Sequence, residues 1–183
     1  MHNDLPKIFY FINELNKDHI NKLEKNIAII YRNYSIQYDE KKIIEIQNIC
    51  KKNQNKFYLS NNIALVKKLK LDGAYIPSFD KSLSTLKLNR KKIHLLGSAH
   101  NIKQIIEKKK QKMDLIFLSP VFKMSKYKNY LDIKKFNILT KHFDQKFIAL
   151  GGINHNNLKK LRILNCYGFA SISYINNLLT KNP

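Results

Sequence analysis

The chain has 183 residues, of which 44% are hydrophobic and 26% charged, and its formal net charge is +21. This apolar content excludes a disordered chain, and the length suits one domain with a core of its own. No apolar run approaches the ~20 residues that cross a bilayer. Residues 1–7 lack the apolar stretch of a signal peptide, so we expect a cytoplasmic protein without membrane partners.

Eight short apolar runs predict β-strands. They are rich in Ile, Leu, Phe and Tyr, which is typical of strands covered on both faces. In chain order they span residues 7–12, 26–31, 56–59, 73–76, 92–96, 115–118, 147–150 and 168–172. Apolar residues at three-to-four spacing predict helices over 40–52, 101–112, 132–142 and 156–164, with shorter helical segments at 19–25 and 80–91. Asn101 and Asp132 are the expected N-caps of two of these helices.

Eight strand–helix units predict a compact (β/α)8 TIM barrel, an α/β fold that we expect to form a single domain over residues 1–183. The two cysteines, Cys50 and Cys166, lie on apolar patterns far apart, and we expect reduced thiols. The longest lysine cluster, Lys108–Lys110 with Lys112, ends a helical pattern, where positive charge complements the helix dipole. We therefore expect solvated lysines rather than a nucleic-acid partner, because no basic arm or stacking motif accompanies them.

The active site of such a barrel lies where its strands end. The residues following the predicted strands include Arg, Lys, Ser, Asn and Gly with a single Asp, but no Glu or Cys. This composition favours phosphates over nucleophilic cysteine chemistry or a transition-metal site. Gly151-Gly152 follows the seventh strand and Ile172-Ser173 the eighth, so backbone amides at two neighbouring strand ends predict a phosphate site. Tight packing alone is the other explanation of the paired glycines.

Several segments at these strand ends resemble the thiamine phosphate synthase family. They are Tyr31-Arg32, Leu-Asp-Gly-Ala-Tyr-Ile at 71–76, Leu-Gly-Ser-Ala-His-Asn at 96–101, Ser-Pro-Val-Phe at 119–122, Ala-Leu-Gly-Gly-Ile at 149–153 and Gly-Phe-Ala-Ser-Ile-Ser at 168–173. The resemblance implies a transferase of thiamine biosynthesis that joins hydroxymethylpyrimidine diphosphate to thiazole phosphate and releases diphosphate. In that family the bond at the pyrimidine methylene breaks first, and Mg²⁺ and cationic groups stabilise the leaving diphosphate.

The resemblance also implies roles for individual residues. The groups expected to act in catalysis are Arg32, Ser98 and Lys126. Substrate binding is expected of Ser60, Asn61, Ser125, Gly151, Gly152, Ile172 and Ser173. Mg²⁺, arriving with the diphosphate, is expected at Asp80 and Asn61. The chain departs from the family where Ile30 and Tyr34 replace a glutamine and a lysine on either side of Arg32, and where Asn61 replaces an aspartate.

Other interpretations stay open at this stage. Asp80 could cap the following helix, Ser98 could be a turn residue, and His100 is more typical of a helix start than of a catalytic base. The protein could be a non-catalytic or regulatory homologue that binds a phosphorylated ligand. A thiazole tautomerase-like isomerase is disfavoured, because that branch carries a His after strand six where this chain has Ser119-Pro120. The residues leave open whether the chain forms a homo-oligomer.

Overall fold

The computed structural model describes residues 5–34, 38–87, 93–125 and 129–181, with only the backbone of Lys181. Eight parallel strands close into a barrel in chain order, which confirms the predicted fold. The strands are β1 (Ile8–Ile12), β2 (Ile27–Tyr31), β3 (Phe57–Ser60), β4 (Gly73–Ile76), β5 (His94–Ala99), β6 (Leu115–Leu118), β7 (Lys146–Leu150) and β8 (Gly168–Ala170).

Helices cover the outside of the barrel. They are α1 (Lys17–Asn21), α2 (Glu40–Lys52), α3 (Ile63–Lys68), α4 (Ile102–Lys110), α5 (Asp132–Thr140) and α6 (Ser173–Lys181). None of the helices in the described residues is long and apolar enough to span a membrane. The side chain of Asn101 accepts a hydrogen bond from the Gln104 amide at 3.0 Å, which confirms this N-cap. Helix α5 begins at Asp132 itself, whose carboxylate makes the corresponding bond to the Lys135 amide at 2.9 Å.

Two predicted α-helices are short 3₁₀ helices instead. The region predicted as a helix over 80–91 contains the 3₁₀ helix Leu83–Lys87, and its residues 88–91 lie outside the described part of the chain. The helix predicted over 156–164 is the 3₁₀ helix Leu158–Ile163. Side chains just before each segment bind nearby amides and compete with helical hydrogen bonds. The Asp80 carboxylate accepts from the Ser82 amide, for example, at 2.8 Å.

Aromatic side chains fill the inside of the barrel. The rings of Phe9 and Phe117 pack edge to face with centroids 4.9 Å apart, and those of Phe11 and Tyr75 do so at 5.2 Å. Tyr58 completes this layer and is fully buried. The interior is therefore a packed core, and in such a barrel the ligand site lies above it, at the carboxyl ends of the strands.

Strand β5 runs further than the sequence predicted. It continues through Gly97 and Ser98, which pair in register with Ile116 and Phe117 of β6. Ser98 is thus a strand residue rather than a loop residue, and its side chain is buried. Ser60 is likewise the last residue of β3 and not the first residue after it. In both places pairing with the neighbouring strand extends the element into polar residues.

The lysine cluster at the end of α4 is not uniformly solvated, so the expectation from the sequence is wrong at one position. Lys109 and Lys110 are exposed, as expected, but Lys108 is completely buried. Its ammonium finds acceptors on a different segment, the connection that follows β4. Only the fold brings those acceptors to the helix, and they explain why a charged side chain tolerates burial there.

Candidate active site

A cavity of about 570 Å³ opens at the carboxyl ends of the strands. Its walls include Phe11, Arg32, His100, Ser119, Gly151 and Ile172. The segment after β6 closes one side with Pro120, Met124, Asn129, Tyr130 and Leu131. Arg32 supplies a permanent positive charge, and no Asp or Glu belongs to the described lining. The cavity therefore suits an anionic ligand with an apolar or aromatic body.

Arg32 is the first residue after β2 and lies at the mouth of the barrel, where the sequence analysis expected it. Its backbone amide donates to the Ile12 carbonyl at 2.8 Å, which continues the pairing of β1 with β2. Its guanidinium carbon lies 4.6 Å from the ring centroid of Phe11 and 5.9 Å from that of Tyr34. Stacking on Phe11 orients the guanidinium and leaves its edges available to an anion.

Ser98 lies below the cavity rather than in its wall. Burial raises the pKa of the neighbouring Tyr75 phenol to about 12, while hydrogen bonds and charge from Ser98 and Arg32 act in the opposite direction. Tyr75 thus stays protonated at neutral pH, and its phenol lies near both Ser98 and Arg32. Ser98 is not among the described residues that line the cavity, and its role in catalysis stays a prediction.

The glycine pair after β7 has the backbone geometry that only glycine adopts readily. Gly151 and Gly152 have φ angles of +93° and +72°. A Cβ atom on Gly151 would stand 2.8 Å from Pro120, and one on Gly152 would stand 2.5 Å from the Phe122 carbonyl oxygen. The Asn157 side chain donates to the Gly152 carbonyl at 2.8 Å and fixes the turn. Gly151 lines the cavity, whereas Gly152 stands behind it.

The strand end beside this turn belongs to β8. Leu150 and Ala170 pair in register, so Gly151 and Ile172 emerge side by side, and both line the cavity. Helix α6 begins at Ser173, whose hydroxyl lies 3.5 Å from the Ile153 carbonyl oxygen. A helix start next to a glycine turn is a favourable place for a phosphate group. The structure therefore brings the four residues of the predicted phosphate site to one side of the mouth.

The opposite side of the mouth differs from the prediction. Ser60 is buried and donates to the Tyr34 hydroxyl at 3.4 Å, and the Tyr34 ring packs edge to face on Phe79 with centroids 5.7 Å apart. Asn61 is exposed and has a φ of +53°. Its backbone N–H donates to the Tyr75 carbonyl at 2.9 Å. Neither Ser60 nor Asn61 lines the cavity. Aromatic rings thus occupy the rim between β2 and β4.

Asp80 performs the capping role that the sequence analysis left open. One carboxylate oxygen, Oδ1, accepts from the Ser82 amide, and the side chain is half-buried. The described residues hold no group of three or more His, Cys, Asp or Glu side chains that could enclose a metal ion. Mg²⁺ commonly binds through one or two carboxylates together with substrate phosphates and water. The second carboxylate oxygen of Asp80 and the side-chain oxygen of the exposed Asn61 are donors of the type that Mg²⁺ accepts, and both residues lie outside the described lining of the cavity.

His100 is a cavity residue to which the sequence analysis gave little weight. Its Nδ1 lies 2.8 Å from the Ser119 carbonyl oxygen and 3.2 Å from the Ser119 hydroxyl. A carbonyl oxygen only accepts, so Nδ1 carries the proton and Nε2 is the acceptor of the neutral ring. Its position after β5 was the available signal, but the pairing with β6 depends on the fold.

The segment after β6 was expected to contribute Ser125 and Lys126. Ser125 is exposed and does not line the cavity, and Lys126 lies outside the described residues. Met124 and Tyr130, on either side of that gap, both reach the cavity. The segment therefore contributes to the site through residues that the sequence analysis did not select.

Comparisons with known proteins point to one family. A model of thiamine monophosphate synthase matches residues 20–175. The chain is 29% identical over 144 residues to a thiamine-phosphate synthase of Prochlorococcus marinus, a match that covers 77% of this chain and 40% of that relative. It is 27% identical over 146 residues to one of Helicobacter pylori, covering 75% of this chain and 65% of the relative. The chain thus spans less than two thirds of the length of these curated relatives.

The fold has a solved counterpart as well. A thiamine phosphate pyrophosphorylase from Pyrococcus furiosus superposes with a TM-score of 0.72 at 12% sequence identity, and the match covers 96% of each chain. At that identity the likeness bears on the fold alone. The family model, in contrast, covers most of the sequence, including the glycine turn after β7 and the start of α6. The chain belongs to the thiamine monophosphate synthase family.

Proposed function

We propose that this protein joins hydroxymethylpyrimidine diphosphate to thiazole phosphate in thiamine biosynthesis, giving thiamine phosphate and diphosphate. The observation that carries the proposal is the arrangement of the cavity. Arg32 stands at the end of β2, the glycine turn and Ile172 stand at the ends of β7 and β8, and no carboxylate lines the space between them. The diphosphate of one substrate would bind near Arg32, and the phosphate of the other would bind the backbone amides near Gly151 and Ile172, in the same cavity.

The chemistry follows from those two ends. The C–O bond at the pyrimidine methylene breaks and its electron pair leaves with the diphosphate. The thiazole nitrogen then donates its lone pair to the methylene carbon and forms the new C–N bond. Arg32 stabilises the charge that grows on the leaving diphosphate, and Phe11 holds its guanidinium in place. The amides around Gly151 and the start of α6 hold the thiazole phosphate, which brings the two reacting atoms together.

Mg²⁺, when bound with the diphosphate, would neutralise part of its charge. Asp80 and Asn61 are the residues that would hold it, and one of the two is an amide. We therefore infer that the metal depends more on the substrate's own oxygens than on the protein.

The test is product formation. Purified protein incubated with both precursors and Mg²⁺ should form thiamine phosphate and release diphosphate, and omission of Mg²⁺ should lower the rate strongly. Folded protein that forms no product would contradict the proposal. The alternative of a non-catalytic binder rests on Asn61 and Tyr34, which replace a carboxylate and a lysine of the family. Calorimetry identifies a binder by uptake of thiazole phosphate without Mg²⁺-dependent uptake of diphosphate.

A further inference from the structure

Lys108 makes a set of hydrogen bonds that the proposed chemistry does not use. The side chain is fully buried in α4, and its ammonium nitrogen donates to the Pro77 carbonyl at 2.7 Å, the Asp80 carbonyl at 2.7 Å and Gln111 Oε1 at 2.9 Å. An ammonium group carries three protons, so each has an acceptor. Two of these acceptors belong to residues 77–82, the segment between β4 and the 3₁₀ helix, which we call the β4 loop.

Gln111 extends the same network along the β4 loop. Its side-chain amide donates to the carbonyls of Asp80 at 3.1 Å and Ser82 at 2.8 Å, and its own backbone carbonyl accepts from the buried Thr85 hydroxyl at 3.3 Å. The Asp80 carbonyl thus accepts bonds from both Lys108 and Gln111. Because these acceptors are backbone atoms, the network fixes the path of the loop and leaves the Asp80 carboxylate free of Lys108.

The three acceptors around Nζ match the ammonium form of Lys108, because a neutral amine could donate only two hydrogen bonds. The internal bonds of the β4 loop are few by comparison. They include one turn, from the Asp80 amide to the Pro77 carbonyl at 3.2 Å, and the cap of Asp80 on Ser82. The loop therefore depends on α4 for its shape.

We propose that Lys108 is a positioning residue for the diphosphate side of the site, because it fixes the backbone of the β4 loop and thereby the place where Asp80 meets a magnesium diphosphate. This role rests on the proposed function. The proposed role concerns only the diphosphate half of the mouth, because the network contacts the β4 loop and does not contact Gly151 or Ile172 in the phosphate half. A lysine that served stability alone would affect both halves equally or neither.

The test compares two variants that remove the same charge from the same helix. Lys108→Met keeps the length of the buried side chain and removes its charge, and Lys109→Met does the same at the exposed neighbour. Calorimetry with inorganic diphosphate plus Mg²⁺, and separately with inorganic phosphate, probes the two halves. Hydrogen exchange over residues 78–84 reports the order of the β4 loop.

We expect Lys108→Met to weaken magnesium diphosphate binding by about tenfold or more, as loss of a supporting residue around a metal site commonly does, with phosphate binding unchanged. Exchange over residues 78–84 should rise as well. Lys109→Met should match the wild type in all three measurements. Should Lys108→Met fail to fold, Gln111→Met removes two bonds to the same loop and should weaken diphosphate binding selectively, though less.

Unchanged diphosphate binding in the folded variant, or an equal loss for diphosphate and phosphate, would overturn the positioning role alone. Wild-type protein that binds no magnesium diphosphate would overturn it together with the proposed function, since Asp80 would then have nothing to position. The wild-type titration therefore tells the two failures apart.

Discussion

The guanidinium of Arg32 lies over the ring of Phe11, with its central carbon 4.6 Å from the ring centroid. Phe11 belongs to β1 and Arg32 follows β2, so the contact joins neighbouring strands at the mouth of the barrel. The ring covers one face of the guanidinium and leaves its donors directed sideways, where they can reach the oxygens of a diphosphate. Phe11 itself packs on Tyr75 in the aromatic core, so the position of the arginine is set from beneath.

This contact makes Arg32→Gln the most informative change on the diphosphate side. We expect kcat/KM to fall by about 100-fold or more, because a charged donor to the leaving group is lost. Arg162→Gln is the matched control, since that exposed arginine lies away from the mouth cavity. Steady-state kinetics with both precursors measures the effect, and equal activity of the two variants would remove Arg32 from the mechanism.

Gly152→Ala tests the phosphate side. The added Cβ would stand 2.5 Å from the Phe122 carbonyl oxygen, at a φ of +72° that an L-residue adopts with strain. We expect a loss of about 2 kcal/mol in the free energy of unfolding, together with weaker binding of thiazole phosphate. Urea unfolding and calorimetry measure the two effects. A variant with wild-type stability and affinity would show that the turn tolerates a side chain and that its geometry is not required.

Asn61→Asp tests the metal assignment in the direction of a gain. Asn61 is exposed, and aspartate tolerates its positive φ. Because both residues are assigned to the same metal, a second carboxylate at position 61 should lower the Mg²⁺ concentration needed for half-maximal rate several-fold, and Asp80→Asn should raise it. Asn177→Asp on α6 adds the same charge at an exposed position and should change nothing. An identical Mg²⁺ dependence in all these variants would exclude Asp80 and Asn61 as ligands.

Cys50 predicts a specific change of stability with pH. Burial raises the pKa of its thiol to about 12, whereas an unfolded cysteine titrates near about 8.5. Between these values the folded protein binds more protons than the unfolded chain, so the free energy of unfolding falls as pH rises. The stabilisation is complete below about pH 8.5 and is lost toward pH 12.

Cys50→Ala removes this proton while every other titrating group stays in place. Plotted against pH, the unfolding free energy of the variant should decline less steeply than that of the wild type, by up to about 1.4 kcal/mol per pH unit above about pH 9. Urea unfolding in the presence of a reductant measures both slopes. Parallel slopes would mean that the folded thiol titrates like an unfolded one.

The strand ends explain how much of the site the sequence could predict. Arg32 and Gly151 line the cavity because each directly follows an apolar run whose length sets the end of a strand, and Ile172 lines it two residues after β8 ends. Ser98 was misplaced, since pairing with β6 extends β5 beyond its apolar part. His100 was undervalued, because its bond to Ser119 joins two loops that are neighbours only in the closed barrel.

Lys108 marks a second limit of the sequence analysis. Periodicity assigns it to the end of a helix with other lysines, and nothing local distinguishes it from Lys109. Its burial depends on the carbonyls of Pro77 and Asp80, which lie about thirty residues earlier in the chain. Nothing in the sequence marks these carbonyls as hydrogen-bond partners of a lysine. Backbone acceptors belong to every residue type, so an environment built from them is visible only in three dimensions.

The most direct test of this account is formation of thiamine phosphate from the two precursors by wild type, Arg32→Gln and Arg162→Gln, each with and without Mg²⁺. The account predicts Mg²⁺-dependent product with wild type and Arg162→Gln, and a rate at least about 100-fold lower with Arg32→Gln. Folded wild-type protein that forms no thiamine phosphate, while still binding thiazole phosphate, would contradict the proposed transferase and indicate a protein that kept only the phosphate half of the site.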